Sequence, residues 1–498
     1  MTVGLKRAST YALNLESTAG AYVAPSATTD FVALRPKNEL SFEPEILSSD
    51  ELLNDIGAAK GSIGKQSVKG SHSAYLKHSG VEGLDPELGL MYESLMGAKY
   101  IASTQYVTVA GSTTSVINVG SGIGVNFQVG QPLLIKDSVN GYSIRNVASV
   151  VGDVLTLNFK LSAAPGSSVS LGKAVLYKPA SSGHPTFSVT KYLGAGYAIE
   201  ASSGNTTTDL SIKADANKFA EADFTFEGTK YFYNAIVVSA SNKYLDFVDD
   251  QGTQFATIAE GTYATPIDLA AAIQLALSAV STESFVVSYN NSTGKFTISS
   301  GSIIFSLMFS SGAHAANDIA QSIGFTATNK TGAVTYTSEN ELVYASALTP
   351  TYDDSDLIVM KGAEVFVGSA SDNSCICAQS VAIKISKKVE DVDCICEVTG
   401  VSEKVPTSRT AEITISATLK KHEASFLTAL LNNTNVSVML NAGSKASNNW
   451  VAGKCFNVYM KSSTVGSFKT SGDSFIAMEL TLKGYVTSTD KDIYLGFV

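Results

Sequence analysis

The chain has 498 residues and, at roughly 100 to 200 residues per domain, its length argues for about three domains. Charged residues make up 16% of it and hydrophobic residues 44%, with a mean hydropathy of +0.13, which describes an ordinary core under an uncharged surface suited to extensive contact with other subunits. A net charge of -10 excludes a broad electrostatic grip on nucleic acid phosphates, and 11 prolines with no long polar tract exclude a disordered or linker-like chain.

The opening MTVGLKRAST has two basic residues and no apolar stretch after them, so no secretory signal is read. No apolar run approaches the roughly 20 residues that cross a bilayer, and synthesis in the cytosol, away from membranes, is expected. Further on, ELSFE at Glu39 to Glu43 predicts a strand, Ile46 to Gly64 a long polar loop, and Lys69 to Lys77 a second strand. Asp85-Pro86 then predicts a helix capped by Asp85, with Leu88, Tyr92 and Leu95 on its apolar face. Tyr100 to Tyr177 reads as a small β insertion, followed by strands at Phe187 to Lys191 and Asp223 to Gly228 (DFTFEG).

Residues 233 to 345 differ in charge. Three lysines stand against nine carboxylates, a net -6, and the block reads as a separate, outward-facing domain. Its helix begins at Thr265-Pro266 and carries Ile267, Leu269, Ala270, Ile273, Leu277 and Val280 at helical spacing. Beyond it, the first half is echoed. VAIKI at Val381 to Ile385 precedes a loop, Glu390 to Pro406, then the strand Thr410 to Leu419, a helix from Lys421 through Phe426, Leu427, Leu430 and Leu431, the strand Phe456 to Met460, and ELTLKG at Glu479 to Gly484. Element order, spacing and closing hexapeptide correspond, so the chain reads as two copies of one unit with material inserted.

Chemistry is sparse. His72, His78, His184, His314 and His422 are scattered, no HExxH, GxSxG, Walker A or dinucleotide-binding motif occurs, and no enzyme or cofactor is expected. Cys375, Cys377, Cys394 and Cys396 form two Cys-Ile-Cys motifs. Since i and i+2 on a strand share a face, four thiolates around zinc is one reading, and buried free cysteines acting as small apolar residues is the other. The carboxylates Glu43/Glu45, Asp50/Glu51 and Glu390/Asp391/Asp393 lack calcium-loop spacing and read as solvated charge.

The opening LKRASTYALNLESTAGAYVAP with Glu16, Ser17 and Gly20, then KGSHSAYLKHSG, DPELGLMYESLMGA and DFTFEG, resembles the major tail tube proteins of long-tailed, siphovirus-like bacteriophages. YLDFVDDQG, IAEGTYATPIDLAAAI and YNNSTGKFTIS in the middle block resemble segments embedded in phage tail and virion proteins. The resemblance implies a mainly β fold: two tandem tail-tube-type β-sandwich or barrel domains, at 1–232 and 346–498, each with a flanking helix, plus a small β insertion at about 100–177 and an inserted α+β domain at 233–345. It implies a structural virion protein of the tail, polymerised into stacked rings through which DNA is ejected. Its partners would be itself, as trimeric pseudo-sixfold rings stacked helically, a tape measure protein, tail terminator and tip proteins, and DNA passing without tight binding.

Within that reading, Leu52, Leu53 and Ile56 in one loop and Val392, Ile395 and Val398 in the other are the candidate inter-ring contacts. Lumen candidates are Asp223, Thr225 and Glu227 in the first unit and Glu412, Thr414, Ser416, Glu479 and Thr481 in the second, unless a neighbour covers that face. The rival from another class is a host-receptor- or carbohydrate-binding protein of a tail tip or fibre, which calls for clustered exposed aromatics; the single Trp450 is expected in a turn. A β-helical depolymerase would need many short repeats in place of two long ones.

Overall fold

The computed structural model describes residues 9–26, 28–48, 61–139, 141–194, 198–342, 350–368, 375–418, 428, 431–471, 476–488 and 490–498. The fold is mainly β. It begins with β1 (Thr10–Leu15), β2 (Phe31–Val32), β3 (Glu39–Leu47), β4 (Ser62–Tyr75), helix α1 (Gly89–Met96) and β5 (Gly97–Ala102). A small sheet of β6 (Val116–Asn118), β7 (Pro132–Lys136), β8 (Tyr142–Val151) and β9 (Val154–Leu157) follows, and then β10 (Ala174–Pro179), β11 (Phe187–Leu193), β12 (Ala198–Asp215), β13 (Glu221–Gly228) and β14 (Lys230–Tyr233). The middle block holds β15 (Ile236–Val238), β16 (Tyr244–Asp249), β17 (Gly252–Thr257), β18 (Gly261–Tyr263), α2 (Pro266–Ser278), β19 (Val286–Asn290), β20 (Lys295–Ser299), β21 (Phe305–Leu307), β22 (Lys330–Ala333) and β23 (Thr335–Thr337). The chain ends with β24 (Glu364–Gly368), β25 (Cys375–Ile376), β26 (Ala378–Asp393), β27 (Val401–Thr418), β28 (Val436–Ala446), β29 (Asn449–Ser471), β30 (Ala477–Gly484) and β31 (Tyr494–Phe497).

One set of antiparallel partnerships occurs twice. In the first half β1 pairs β2 and β11, β11 pairs β12, β12 pairs β13 and β14, β13 pairs β4, and β4 pairs β3. In the last part β24 pairs β25 and β28, β28 pairs β29, β29 pairs β30 and β31, β30 pairs β27, and β27 pairs β26. Even the bulge repeats: the register slips between Thr207 and Asp209 against β13, and between Val465 and Ser467 against β30. These partnerships correct one correspondence read from the sequence. Phe456 to Met460 lies in β29, the equivalent of β12, whereas Phe187 to Lys191 lies in β11, whose equivalent is β28. Short alternating runs match at either register, and β12 is masked by its polar middle, Ser202 to Thr208, which is buried and, apart from the Thr207 hydroxyl, largely hydrogen-bonded within the protein. Asn205 Nδ2, for example, donates to the Phe187 carbonyl at 2.7 Å.

The two units share one hydrophobic core, running from Tyr11 and Val68 through Phe224 and Phe226 to Ile383, Ile413, Leu480 and Phe497. They also exchange strands. β31 pairs β10 as well as β29, and β10 pairs β5, so strands of the first half extend a sheet of the second. The small β6–β9 sheet likewise packs across: Leu134 and Ile144 lie with Trp450 and Val498, and Asn146 Nδ2 donates to Asn457 Oδ1 at 2.6 Å. The Glu16 carboxylate closes a corner of the first unit, accepting from the N–H groups of Gly20 and Gly204 and the hydroxyls of Thr186 and Ser188, each at 2.8 Å. Gly20 holds a left-handed φ of 77°, which accounts for a glycine four residues after that glutamate.

Helix α1 buries Leu88, Tyr92 and Leu95 as expected, but Asp85 does not cap it. The Asp85 carboxylate instead accepts from Lys99 Nζ at 2.8 Å and from the Tyr177 hydroxyl. Helix α2 has the expected start, a Thr265–Asp268 capping box with Pro266 in the first turn; Ile267 and Val280 are exposed while Leu269, Ala270, Ile273 and Leu277 are buried. Of the third expected helix, Lys421, Phe426, Leu427 and Leu430 lie outside the described residues. Among those described, no helix is long and apolar enough to cross a membrane.

The middle block has its own core, built on Phe247, Ile273, Phe296, Phe305 and Phe325. Its acidity is not all outward. Asp246 and Asp249 are buried, Asp246 against His314 (Nδ1 to Oδ1, 2.8 Å) and Asp249 accepting from Ser281 Oγ at 2.6 Å, because short polar loops need internal acceptors for their N–H groups.

One buried group makes folding sensitive to acid. His72 is buried between Tyr11 and Phe226, ring edges meeting at 5.5 and 4.9 Å between centroids, and neither ring nitrogen has a hydrogen-bond partner among the described residues. Burial, with a smaller contribution from Lys191, pushes its pKa down to about 3. The unfolded chain takes up this proton below about pH 6.5 and the folded chain does not until about pH 3, so the contribution is complete above pH 6.5 and is lost as pH falls between those limits. In denaturant titrations, His72→Phe should remove up to about one proton, or a factor of about ten in the folding constant per pH unit, from the acid slope between pH 6 and 4. An unchanged slope would contradict this assignment.

Candidate assembly surface

The two units meet edge to edge. β12 pairs β26 from Asp209↔Ser386 to Asp215↔Ser380, which joins eight strands into one antiparallel sheet in the order β3, β4, β13, β12, β26, β27, β30, β29. Alternation along each strand gives the sheet two unlike faces. Ala222, Phe224, Phe226, Ile413, Ile415, Leu480 and Leu482 enter the core. Asp223, Thr225, Glu227, Glu412, Thr414, Ser416, Glu479 and Thr481, all nominated from the sequence, lie together on the other face.

That face is a ladder of mixed charge. One row across the strands reads Ser73, Asp223, Ser211, Lys384, Glu412 and Lys483, so carboxylates alternate with lysines at neighbouring positions. Ser73 Oγ donates to Asp223 at 2.5 Å, Thr225 Oγ1 to Asp209 at 2.8 Å, and the Thr414 and Thr481 hydroxyls meet at 3.3 Å. Glu227 is engaged elsewhere, by Lys404 Nζ at 3.1 Å.

Two edges of the sheet carry no strand among the described residues. One is β3, which pairs only with β4 and contains Pro44, a residue confined to edge strands because it cannot donate to a ladder. The other is the last stretch of β29, Val465 to Ser471, which pairs only with β30. Neither edge was singled out from the sequence. The Pro inside an otherwise alternating strand was the available signal for the first.

Where they are described, the segments expected to be long loops are paired strand. Glu390 to Pro406 is not a loop: β26 and β27 stay paired from Val389↔Pro406 to Asp393↔Val401, and only 394–400 connect them. Ile46 to Gly64 likewise begins and ends in strand, with Ile46↔Ile63 and Leu47↔Ser62 paired. Leu52, Leu53 and Ile56 lie outside the described residues. Ile395 and Val398 stand fully exposed at the tip of the second arm and Val392 is exposed below it. The arms are tied to each other. Lys65 Nζ lies 2.8 Å from both Asp391 and Asp393, which hold its pKa up at about 12. Lys404, only 3% exposed, bridges Asp391 at 2.6 Å and Glu227, and Gln66 N–H donates to the Thr399 carbonyl at 3.0 Å.

A four-cysteine zinc site within one chain is excluded by distance. Cys375 and Cys377 precede β26 and Cys394 and Cys396 follow it, and 16 residues of strand at about 3.3 Å each separate the pairs by about 50 Å. The alternative of buried apolar cysteines fails for the same four: Cys375, Cys377 and Cys396 are exposed and Cys394 is half-buried, while Cys455 is buried. Trp450 is not in a turn. It lies buried in β29 with Lys445 Nζ 4.0 Å from its ring centroid.

Comparison with known proteins adds little to this geometry. No family model and no curated protein matches the chain. A chain from the virion of a native gene transfer agent particle is similar over 27% of this chain and 95% of its own length, at 12% identity with a TM-score of 0.20. A likeness of that size carries no argument.

The arm geometry has a measurable consequence. Amide exchange in the isolated chain should be slow at Val389 to Val392 and Val401 to Val405 and fast across Ile395 to Val398. Lys404→Met, which leaves Asp391 and Glu227 without their buried partner, should speed exchange of the arm strands by about tenfold or more while leaving Ile413 and Ile415 unchanged. Fast exchange throughout 390–406 in the unmodified chain would restore the loop reading.

Proposed function

We propose that this chain is a non-enzymatic structural protein of a virion tail, and that its copies close edge to edge into rings stacked as a hollow tube through which DNA leaves. The observation that carries the reading is the β12–β26 junction. Within one chain it already performs the join that a ring needs between chains, and it leaves the equivalent pair of edges, β29 and β3, open at the two ends of the sheet. An unpaired, uncovered strand edge is a template for another chain, and closure removes it.

Transferring the β12–β26 register to the open edges specifies how one chain meets the next. Since Ser211 lies opposite Lys384, and Asp209 opposite Ser386, the equivalent Lys469 comes opposite Ser41 of the next chain and Ser467 opposite its Glu43. Lys469 then sits diagonally between Glu39 and Glu43, opposite charges at positions that interact across strands. With two units per chain and the sixfold symmetry of the resembled tube proteins, three chains complete the ring.

The polar face of the joined sheet would line the lumen. Its lysines are interleaved with carboxylates, so a passing phosphate meets no run of uncompensated positive charge, and DNA could slide without the counterion release that drives tight binding. A tape measure protein within the tube and terminator and tip proteins at its ends are the partners this role requires.

Ser41→Cys and Lys469→Cys, introduced together into a chain with its own cysteines replaced by serine, test the edge. Mild oxidation of assembled protein should link chains into closed trimers, and neither single variant should do so. Assembled tubes with no link between these positions would refute the register.

A further inference from the structure

The two Cys-Ile-Cys motifs, which the tube reading leaves unused, occupy opposite ends of the same strand. Cys394, Ile395 and Cys396 form the tip of the β26–β27 arm, where Ile395 has no neighbour to bury it. At the other end of β26, Cys375 and Cys377 line a hollow of 390 Å³ whose walls include Ala214, Met360, Ala363 and Val365. Lys361 is the one charged side chain among its described walls; it is exposed and has no ion pair among the described residues. Beside the tip stands Glu397, half-buried, whose carboxylate has among the described residues one ion-pair contact, with Lys230 Nζ at 4.0 Å. An apolar knob flanked by a carboxylate, and a lysine-flanked hollow whose apolar walls are rimmed by Asn217, Gln379 and Ser380, thus lie about 50 Å apart along one strand direction.

Complementary patches at opposite ends of a molecule cannot meet within one copy, and between copies they make a head-to-tail contact that propagates. We propose that the hollow at the start of β26 receives the arm tip of a second copy of this chain in the adjacent ring, with Ile395 seated among Ala214, Met360 and Val365, Glu397 against Lys361, and the thiols of the two Cys-Ile-Cys motifs brought together at the seam. The inference rests on the tube reading and adds what holds the rings to one another. The first unit repeats the design, with a hollow of 810 Å³ lined by Tyr11, Val32, Arg35 and Tyr75 at the start of β3, the end opposite its own arm.

Diamide, a diazene that takes two neighbouring thiols to a disulfide and is itself reduced to the hydrazine, tests the seam on assembled tubes. Treated tubes should give a ladder of linked chains in non-reducing gels, and dispersed chains should not. The ladder should vanish in Cys375→Ser/Cys377→Ser and in Cys394→Ser/Cys396→Ser. Tubes grown from a mixture of these two double variants should give linked pairs and nothing longer, because each chain then offers one half of one seam. Ile395→Asp should raise the concentration needed for tube growth by about tenfold or more, the effect of losing one buried aliphatic side chain. Tubes that form but do not cross-link, or links that persist in either double variant, overturn the seam and leave the tube reading standing. If no tubes form under any condition, the tube reading falls and the seam with it.

Discussion

The architecture depends on the obligation of every backbone N–H and C=O in a sheet to find a partner. At β12 and β26 that obligation is met by joining two units into one surface. The join gives the sheet a continuous polar face and a continuous apolar one, and it places the open edges at opposite ends. Nothing about the edges is symmetric: β3 carries Glu39 and Glu43, and β29 carries Lys469. On the proposed reading copies add in one direction, as a closing ring requires.

Perpendicular to that direction, the molecule is held by charge and by strand pairing together. The β3–β4 arm continues beyond the point where β13 stops, and the β26–β27 arm beyond the points where β12 and β30 stop, so neither arm packs against the main core. Their stability comes from the ladder hydrogen bonds and from Lys65 and Lys404, which meet Asp391, Asp393 and Glu227. Lys404 is the stronger anchor, because it is shielded from solvent where the Lys65 pairs are partly open to it. The same separation of duties appears elsewhere. Lys387 crosses from β26 into the first unit, donating at 2.7 Å to both the Ser94 carbonyl and the Thr206 hydroxyl, and burial there pushes its pKa down to about 7.

Much of this was legible in the sequence wherever one face of a strand is buried. ADFTFEG and TAEITISATL alternate because Phe224 and Ile413 enter the core while Thr225 and Glu412 do not, so the polar face could be named residue by residue. The arms were not legible. In VSEKVPTSRT the burial of Val401 and Lys404 follows no period of two, and the stretch reads as loop although it is paired along its length. β12 was missed for the opposite reason, since both faces of Ser202 to Thr208 are buried and polar. The Asp85 cap failed because a nearby lysine and a buried tyrosine hydroxyl compete for its carboxylate, partners that only tertiary structure brings within reach. Strand exchange between the two units, such as β31 against β10, leaves no local signal at all.

Cryo-microscopy of assembled protein bears most directly on the central claim, that the internal junction is the template for the junction between chains. The account predicts rings of three chains with pseudo-sixfold symmetry, in which β29 of one chain runs beside β3 of the next just as β12 runs beside β26. Rings of six chains, or rings in which β3 and β29 remain unpaired, would contradict it.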